Sequence, residues 1–551
     1  MHISTRFLVF GLPLFSEAAC SHNCTWDTIV PSKSLRWCSC NDGFYCAKLD
    51  APLDYQNPTL GRATISLVKL PANSNSSYGA YQGMILTNPG GPGASSVDDI
   101  LENGVTYYQS ITGDNWDIVG FDPRGIYLSE PNINNCSTLQ NTPLSARFVP
   151  EETDDFFNSY IQAGIEIGQA CRSSVGWERD AGPHMSTTVN ARDMLTIVEA
   201  FAKTTDGARA AKPSNLLNYF GYSYGTFLGQ VFASMYPDRV GNMVLDGVLS
   251  LDLPLGVNLT QISTPADGVI ASFFVYCFAA GQSACSYYTG SSALDIYARF
   301  NESFVQLDAQ RAKAEGWANA TDIESALVTL KTVFFDATEA PVDVFPLIPS
   351  VLAGLEEALA ISNVAAWTQE IIATIGDPTP AGDKNAELRL GILCADQGGK
   401  WYNETLEDVT PLITHLEKTS IIGELVAESD LGCLGWSIQS IDVFSGPFGG
   451  DTATPILFVG NTYDPIAPVT NALMAASNYK GAQVITIDAV GHTSRVANST
   501  CQKAKVNNYF QHTQLPGNDS YCSIEAGPFG VTLNGTLEKL IGQAGLSVLD
   551  Q

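Results

Sequence analysis

The sequence predicts an α/β chain: a doubly wound, mostly parallel sheet interrupted by a large, mainly helical insertion. Three observations carry this expectation. Short apolar runs, among them 83–87, 117–121, 242–248, 455–460 and 483–488, are bounded by Gly, Pro, Asn or Asp and read as buried strands. Segments of helical period lie between them, and strand–helix alternation builds a parallel sheet with helices on both faces. From about 251 to 445 strand-like runs become scarce, while 265–280, 292–313, 322–335 and 351–361 keep a helical period.

Composition bounds the rest. A chain of 551 residues is long enough for one large core plus an insertion. With 45% hydrophobic and 15% charged residues it is globular rather than disordered. Its formal charge of -29 argues against nucleic acid or an anionic membrane as partner, because both would repel it. Arg6, the apolar stretch Phe7 to Phe15 and then Ser16-Glu17-Ala18-Ala19 read as a secretory signal peptide over residues 1–19; a buried first strand is the competing reading. That stretch is too short to span a bilayer. Ten Asn-x-Ser/Thr sequons (Asn23, Asn75, Asn135, Asn258, Asn301, Asn319, Asn403, Asn498, Asn518, Asn534) and thirteen cysteines agree with a secreted, extracellular protein. Spacing suggests the disulfides Cys136–Cys171, Cys277–Cys285, Cys394–Cys433 and Cys501–Cys522. The pairing of Cys20, Cys24, Cys38, Cys40 and Cys46 stays open. Cys38-x-Cys40 as a metal site competes with disulfides, which an oxidising compartment favours.

In chain order, residues 20–250 form the first part of the core, 251–445 a helical cap, and 446–551 the C-terminal part of the core. Residues 46–55 and 63–70 open the sheet as an antiparallel pair, followed by a Ser/Asn/Gly loop over 71–79. The strand 83–87 runs into Asn88-Pro89-Gly90-Gly91-Pro92-Gly93. So little side-chain bulk lets backbone N–H groups approach a substrate oxygen. The strand 117–121 ends in Asp122-Pro123-Arg124-Gly125, where Arg124 reads as structural. A helix over 187–203 has Thr187 and Thr188 as N-cap candidates. No internal repeat is visible, and the cap should form the far wall of a pocket.

The centre of the chain is 216–228, LLNYFGYSYGTFL. An apolar run, then Gly221-Tyr222-Ser223-Tyr224-Gly225, then a helical start is the strand–turn–helix context of a nucleophilic serine. After the cap, Asp464 follows a strand in Asn461-Thr-Tyr-Asp464-Pro, and His492 follows the last clear strand in Gly491-His492-Thr. A serine hydroxyl is a weak nucleophile and needs a base within hydrogen-bond reach. His492 is that base, and the other five histidines (His2, His22, His184, His415, His512) lie in the wrong segments. Asp464 would hold the imidazole in the right tautomer, with Asp246, at the end of strand 242–248, as the rival acid. The expected oxyanion donors are the N–H of Tyr224 and of Gly91, with Gly90 second; Pro92 has no N–H.

Together, Asn88-Pro-Gly-Gly-Pro-Gly93, Asp122-Pro-Arg-Gly125, Gly221-Tyr-Ser-Tyr-Gly225, Asp464 and Gly491-His492 resemble the secreted tripeptidyl aminopeptidase-like α/β-hydrolases, similar to the proline iminopeptidases. Asn88 stands where the proline iminopeptidases have His. The resemblance covers most of residues 46–500 and is weak in the cap. It implies an α/β-hydrolase fold and a serine exopeptidase that releases short pieces from free peptide N-termini. Such an enzyme needs carboxylates to hold the substrate ammonium. Asp396, in Ile392-Leu-Cys394-Ala-Asp396-Gln397, resembles the family's Cys-x-Asp segment; a structural Asp beside a disulfide is its competing reading.

Three functions stay open at this point. An aminopeptidase takes a peptide substrate. An esterase or amidase acting on small molecules shares every catalytic residue and lacks only the ammonium-binding carboxylate. A non-catalytic binding protein on a hydrolase scaffold would not need the intact triad. No cofactor and no metal are implied.

Overall fold

A computed structural model describes residues 24–136, 154–251, 264–375, 386–397, 406–422, 425 and 432–546. The expected signal segment 1–19, Cys20 and the sequons Asn23, Asn258 and Asn403 lie outside the described residues.

Ten strands form one sheet among the described residues: β1 (Cys38–Cys40), β2 (Phe44–Pro52), β3 (Arg62–Leu70), β4 (Gly83–Asn88), β5 (Trp116–Phe121), β6 (Leu217–Tyr222), β7 (Val240–Asp246), β8 (Leu457–Tyr463), β9 (Gln483–Val490) and β10 (Tyr521–Cys522). Their order is β1-β2-β3-β5-β4-β6-β7-β8-β9-β10. β1, β2, β3 and β5 pair antiparallel, and every pair from β5 to β10 is parallel. The expected α/β arrangement is present, down to the antiparallel opening. β1 and β10 are additions, three and two residues long, too short to leave a periodic signature.

Covering helices explain why the central strands read as unbroken apolar runs. β4, β5, β6 and β7 are buried at every residue, as strands with both faces packed must be. Successive side chains alternate between two clusters. Tyr219, Leu245 and Phe458 face the helices Thr187–Ala202 and Tyr224–Met235, and Phe220, Val244 and Leu457 face Tyr509 and Phe510 of the helix Thr500–His512. Each such fully buried side chain contributes about 1.5–3 kcal/mol through its removal from water.

The helix expected over 187–203 spans Thr187–Ala202, but its N-cap is Ser186, whose Oγ accepts from Val189 N. The run 292–313 is two helices, Ala293–Phe304 and Ala309–Glu315, because Asp308 caps the second through Arg311 N at 2.9 Å. The insertion packs in two places. Helices Thr264–Ala280, Ala293–Phe304, Ala320–Glu339, Ile348–Ala360 and Val364–Ile375 share a cluster of their own, joined by Val490 and by Leu537 and Ile541 from the C-terminal tail. Helix Ala386–Asp396 and residues 433–438 instead pack onto the sheet's own cluster, beside the helix Asp154–Val175.

All four disulfides expected from spacing are present, with Cys24–Cys38 and Cys40–Cys46 at the N-terminal end. Among the described residues no helix is long and apolar enough to cross a membrane. Of the described sequon asparagines, Asn75, Asn135, Asn319, Asn498, Asn518 and Asn534 are exposed and Asn301 is half-buried.

Candidate active site

The parallel register brings the C-terminal ends of the strands to one edge: Asn88 pairs with Gly221, Tyr222 with Asp246, and Asp246 with Val459. In open α/β sheets ligands bind outside such an edge.

β6 ends at Tyr222 and the next helix begins at Tyr224, so Ser223 alone turns the chain. It does so at φ 51° and ψ -123°, a left-handed conformation unfavourable for any residue with a Cβ. Three bonds hold it there. Ser223 N–H donates to Asp246 O at 3.0 Å, and Ser223 O accepts from Thr226 N–H at 2.8 Å and Thr226 Oγ1 at 2.6 Å. The two flanking glycines are required by close approach: a Cβ at Gly221 would lie 2.5 Å from Gly225 O, and one at Gly225 2.6 Å from Asn88 O.

The Gly-rich loop after β4 lies directly against this turn. A Cβ on Gly90 would sit 2.8 Å from Ser223 Cβ, 2.8 Å from Tyr222 O and 3.3 Å from Tyr224 N. Gly90 N–H is taken by Asn88 Oδ1 at 3.0 Å. Gly91 N–H makes no hydrogen bond among the described residues, and Tyr224 N–H heads a helix, where backbone donors lack intrahelical acceptors.

His492 follows β9, and its Nδ1 lies 2.9 Å from Asp464 Oδ1 and 3.0 Å from Oδ2. Asp464 is fully buried and also accepts from Ile466 N–H at 3.0 Å, Ala467 N–H at 2.7 Å and Thr493 N–H at 2.9 Å. Burial alone would raise its pKa, but the His492 charge and these donors hold it below the ordinary carboxylate value. For His492 burial opposes the charged form, and the Asp464 carboxylate outweighs it, raising the pKa to about 9 with help from Glu339 and Asp246. The other ring nitrogen, Nε2, is buried with no hydrogen-bond partner among the described residues.

The rival acid has a different job. Asp246 Oδ1 accepts from Ser494 N–H at 2.9 Å and Oδ2 from the Ser494 hydroxyl, while its backbone oxygen holds Ser223. It thus ties the serine turn to the histidine loop. Burial pushes its pKa up to about 7.

For Asp396 the structure favours the structural reading over the ammonium role. Its Oδ1 accepts from Thr187 N–H at 2.7 Å and its Oδ2 from Thr187 Oγ1 at 2.6 Å, with only 4% of the residue exposed. It caps the helix Thr187–Ala202, and Thr187 Oγ1 also bonds the Tyr224 hydroxyl. Burial raises its pKa to about 7. Arg124 is structural as expected: it grips buried Asp193 through Nε at 2.7 Å and Nη2 at 2.5 Å, and Leu53 O through Nη1 at 2.6 Å.

One carboxylate that sequence reasoning missed stands at the histidine, with a second one turn away on the same helix. Glu339 ends the helix Ala320–Glu339, and its backbone oxygen accepts His492 N–H at 3.1 Å. The residue is exposed to solvent. Burial raises its pKa, as does Asp464, against the pull of His492 and Arg389. Asp336, one turn earlier, is raised to about 6 by burial and then by Glu339. No local pattern in Asp336-Ala-Thr-Glu339 marks them; only the fold brings this helix end to His492.

Residues 84–278 match the family described as alpha/beta hydrolase fold, and residues 419–522 match the one described as TAP-like protein. The chain has the alpha/beta hydrolase fold, and the resemblance drawn from its motifs is borne out. Serine protease Hip1 of Mycobacterium tuberculosis is 24% identical over 508 residues, covering 87% of this chain and 87% of its own. Tripeptidyl aminopeptidase of Streptomyces lividans is 25% identical over 500 residues, covering 88% of this chain and 84% of its own. Carboxylesterase B of Mycobacterium tuberculosis is 26% identical over 498 residues, covering 87% and 86%.

Proposed function

We propose that this chain is a secreted serine exopeptidase that releases short peptides or amino acids from free peptide N-termini. Ser223 Oγ attacks the scissile carbonyl while His492 Nε2 takes its proton, and Asp464 holds the imidazole through Nδ1 and stabilises the imidazolium. The developing oxyanion is received by Gly91 N–H and Tyr224 N–H. His492 then returns the proton to the leaving amine, and a water activated by the same nitrogen releases the acyl group from Ser223. The observation that carries this reading is a strained serine turn abutted by the Gly90–Gly91 loop and tied through Asp246 to the loop of a histidine whose Nδ1 is held by a buried carboxylate and whose Nε2 is unengaged.

The peptidase character is supported by the relatives named serine protease and tripeptidyl aminopeptidase. With Asp396 sealed off, Glu339 and Asp336 take the ammonium role. Glu339 stands beside His492 and Asp336 one turn away on the same helix, and a free α-amine would offset the repulsion between the two carboxylates. Secretion is supported by the signal-like N-terminus, the disulfides and the exposed sequons. A second reading, an esterase or amidase, is favoured by the relative named carboxylesterase B.

Three probes separate the two: a free-amine peptide anilide, its N-acetylated twin and a simple aryl ester. The exopeptidase reading expects cleavage of the free-amine anilide only, and Glu339→Gln should raise its KM at least about tenfold with little change in kcat. Ester turnover indifferent to a free amine would establish the esterase instead.

A further inference from the structure

Every backbone N–H of the loop 491–494 is bound by a different partner. Gly491 donates to Tyr463 O at 2.9 Å, His492 to Glu339 O at 3.1 Å, Thr493 to Asp464 Oδ2 at 2.9 Å and Ser494 to Asp246 Oδ1 at 2.9 Å. Two of the loop's carbonyls are held by a single side chain. Asn461, on β8 three residues before Asp464, donates through Nδ2 to Gly491 O and to Thr493 O, both at 2.8 Å. These are the residues on either side of His492.

Asn461 is fully buried, and its Oδ1 has no hydrogen-bond partner among the described residues. An amide in the middle of a parallel sheet with half its polar atoms unsatisfied is costly. The other half accounts for its presence. Among short uncharged side chains only Asn carries two N–H donors on one planar atom, the number needed to bridge two carbonyls. The amide cannot be turned over, because Oδ1 would then face two carbonyl oxygens. The backbone it clamps is unusual: Gly491 has φ 107° and Thr493, a β-branched residue, has φ 65°. Two positive φ values around one residue persist only where the surroundings impose them.

We propose that Asn461 is a positioning residue for His492, fixing the peptide plane that precedes it and the one that follows Thr493, so that Nε2 is held toward Ser223 when Nδ1 binds Asp464. The proposal rests on His492 being the base that activates Ser223. It is independent of whether the substrate is a peptide or an ester.

The test compares wild type with Asn461→Thr and Asn461→Asp by three readouts: kcat and KM, the pH profile of kcat/KM, and the rate of Ser223 labelling by a fluorophosphonate. Thr keeps one donor; Asp, ionised, keeps none and sets its oxygens against two carbonyls. Misplacement of a catalytic group by even an ångström costs up to about a hundredfold. We expect kcat and labelling to fall about tenfold in Asn461→Thr and about a hundredfold in Asn461→Asp, with KM within about twofold and the acidic limb of the profile displaced. Wild-type rates and profile in either variant would overturn the proposal. So would loss of a cooperative thermal transition in both variants, which would make Asn461 a residue of the fold alone. Wild type that resists labelling altogether would overturn the serine mechanism on which the proposal stands, an outcome distinct from labelling that is equal in all three proteins.

Discussion

Two buried aspartates flank the catalytic loops, and replacing each by Asn should give opposite results. Asp464 is held below the ordinary carboxylate pKa and is surrounded by donors on both oxygens: Ile466 and Ala467 N–H on Oδ1, Thr493 N–H on Oδ2, and His492 Nδ1 on both. Whichever way the amide introduced by Asp464→Asn turned, its NH2 would oppose at least one N–H. Either the imidazole takes the wrong tautomer, or a buried backbone donor loses its acceptor at about 1–3 kcal/mol of stability. The tautomer effect in such a triad is worth about 10⁴-fold in kcat, about 5.4 kcal/mol of transition-state stabilisation. Asp246 differs because burial raises it to about 7, so its neutral form is already well populated near neutral pH. An Asn there keeps Ser494 N–H on its oxygen and donates its NH2 to the Ser494 hydroxyl, which can accept as readily as it donates. Asp246→Asn should therefore cost less than about tenfold in kcat. The assay is kcat on whichever probe the wild type turns over, with thermal melts of both variants to separate folding from chemistry. A larger loss in Asp246→Asn than in Asp464→Asn would refute both the acid assignment and the reasoning from protonation state.

Three further outcomes follow from the same geometry. Gly90→Ala places a Cβ 2.8 Å from Ser223 Cβ at φ 107°, so the oxyanion loop must retreat from the serine. The expected loss is about a hundredfold in kcat with the far-UV circular dichroism unchanged, and full activity would show that this loop is not part of the machinery. His492 must be neutral to accept the serine proton, and its pKa is raised to about 9, so kcat/KM should rise with pH through a limb lying above the free imidazole value. Glu339 is one cause of that elevation, so Glu339→Gln should move the limb to lower pH; a limb that stays put would remove Glu339 from the site. Finally, Asp246 and Asp396 (to about 7) and Asp122 and Asp336 (to about 6) bind protons more tightly folded than unfolded, as does His492 between about 6.5 and 9. Where the native state binds more protons, stability falls as pH rises. Asp464, lowered, works in the opposite sense only near and below the ordinary carboxylate value. The melting temperature should thus be higher at pH 5 than at pH 8, and calorimetry showing the reverse would mean that these carboxyls are ionised and paired in solution.

The sequence by itself determined the sheet and the positions of the reactive residues, because both are written in local patterns. Strands packed on both faces are mostly apolar, so β4 to β9 could be read directly despite polar residues such as Asn461. Asn88 to Gly93 and Gly221 to Gly225 are marked by backbone needs that only glycine meets where two backbones touch. The four inter-element disulfides were legible because their spacings are short in sequence. What the sequence could not weigh was the surroundings of each carboxylate. Asp396, beside a cysteine in an apolar helix, looked available; the fold closes it over Thr187. Glu339 carried no local signal, and the fold brings it to His492 across 153 positions of chain. Chain order favours Asp464 over Asp246, because Asp464 precedes His492 by one short αβ unit. The loop path agrees with that preference, with the His492 ring on Asp464 and Ser494 on Asp246. A charge's role depends on what desolvates it and what donates to it, and those are contacts between distant segments rather than properties of a local sequence.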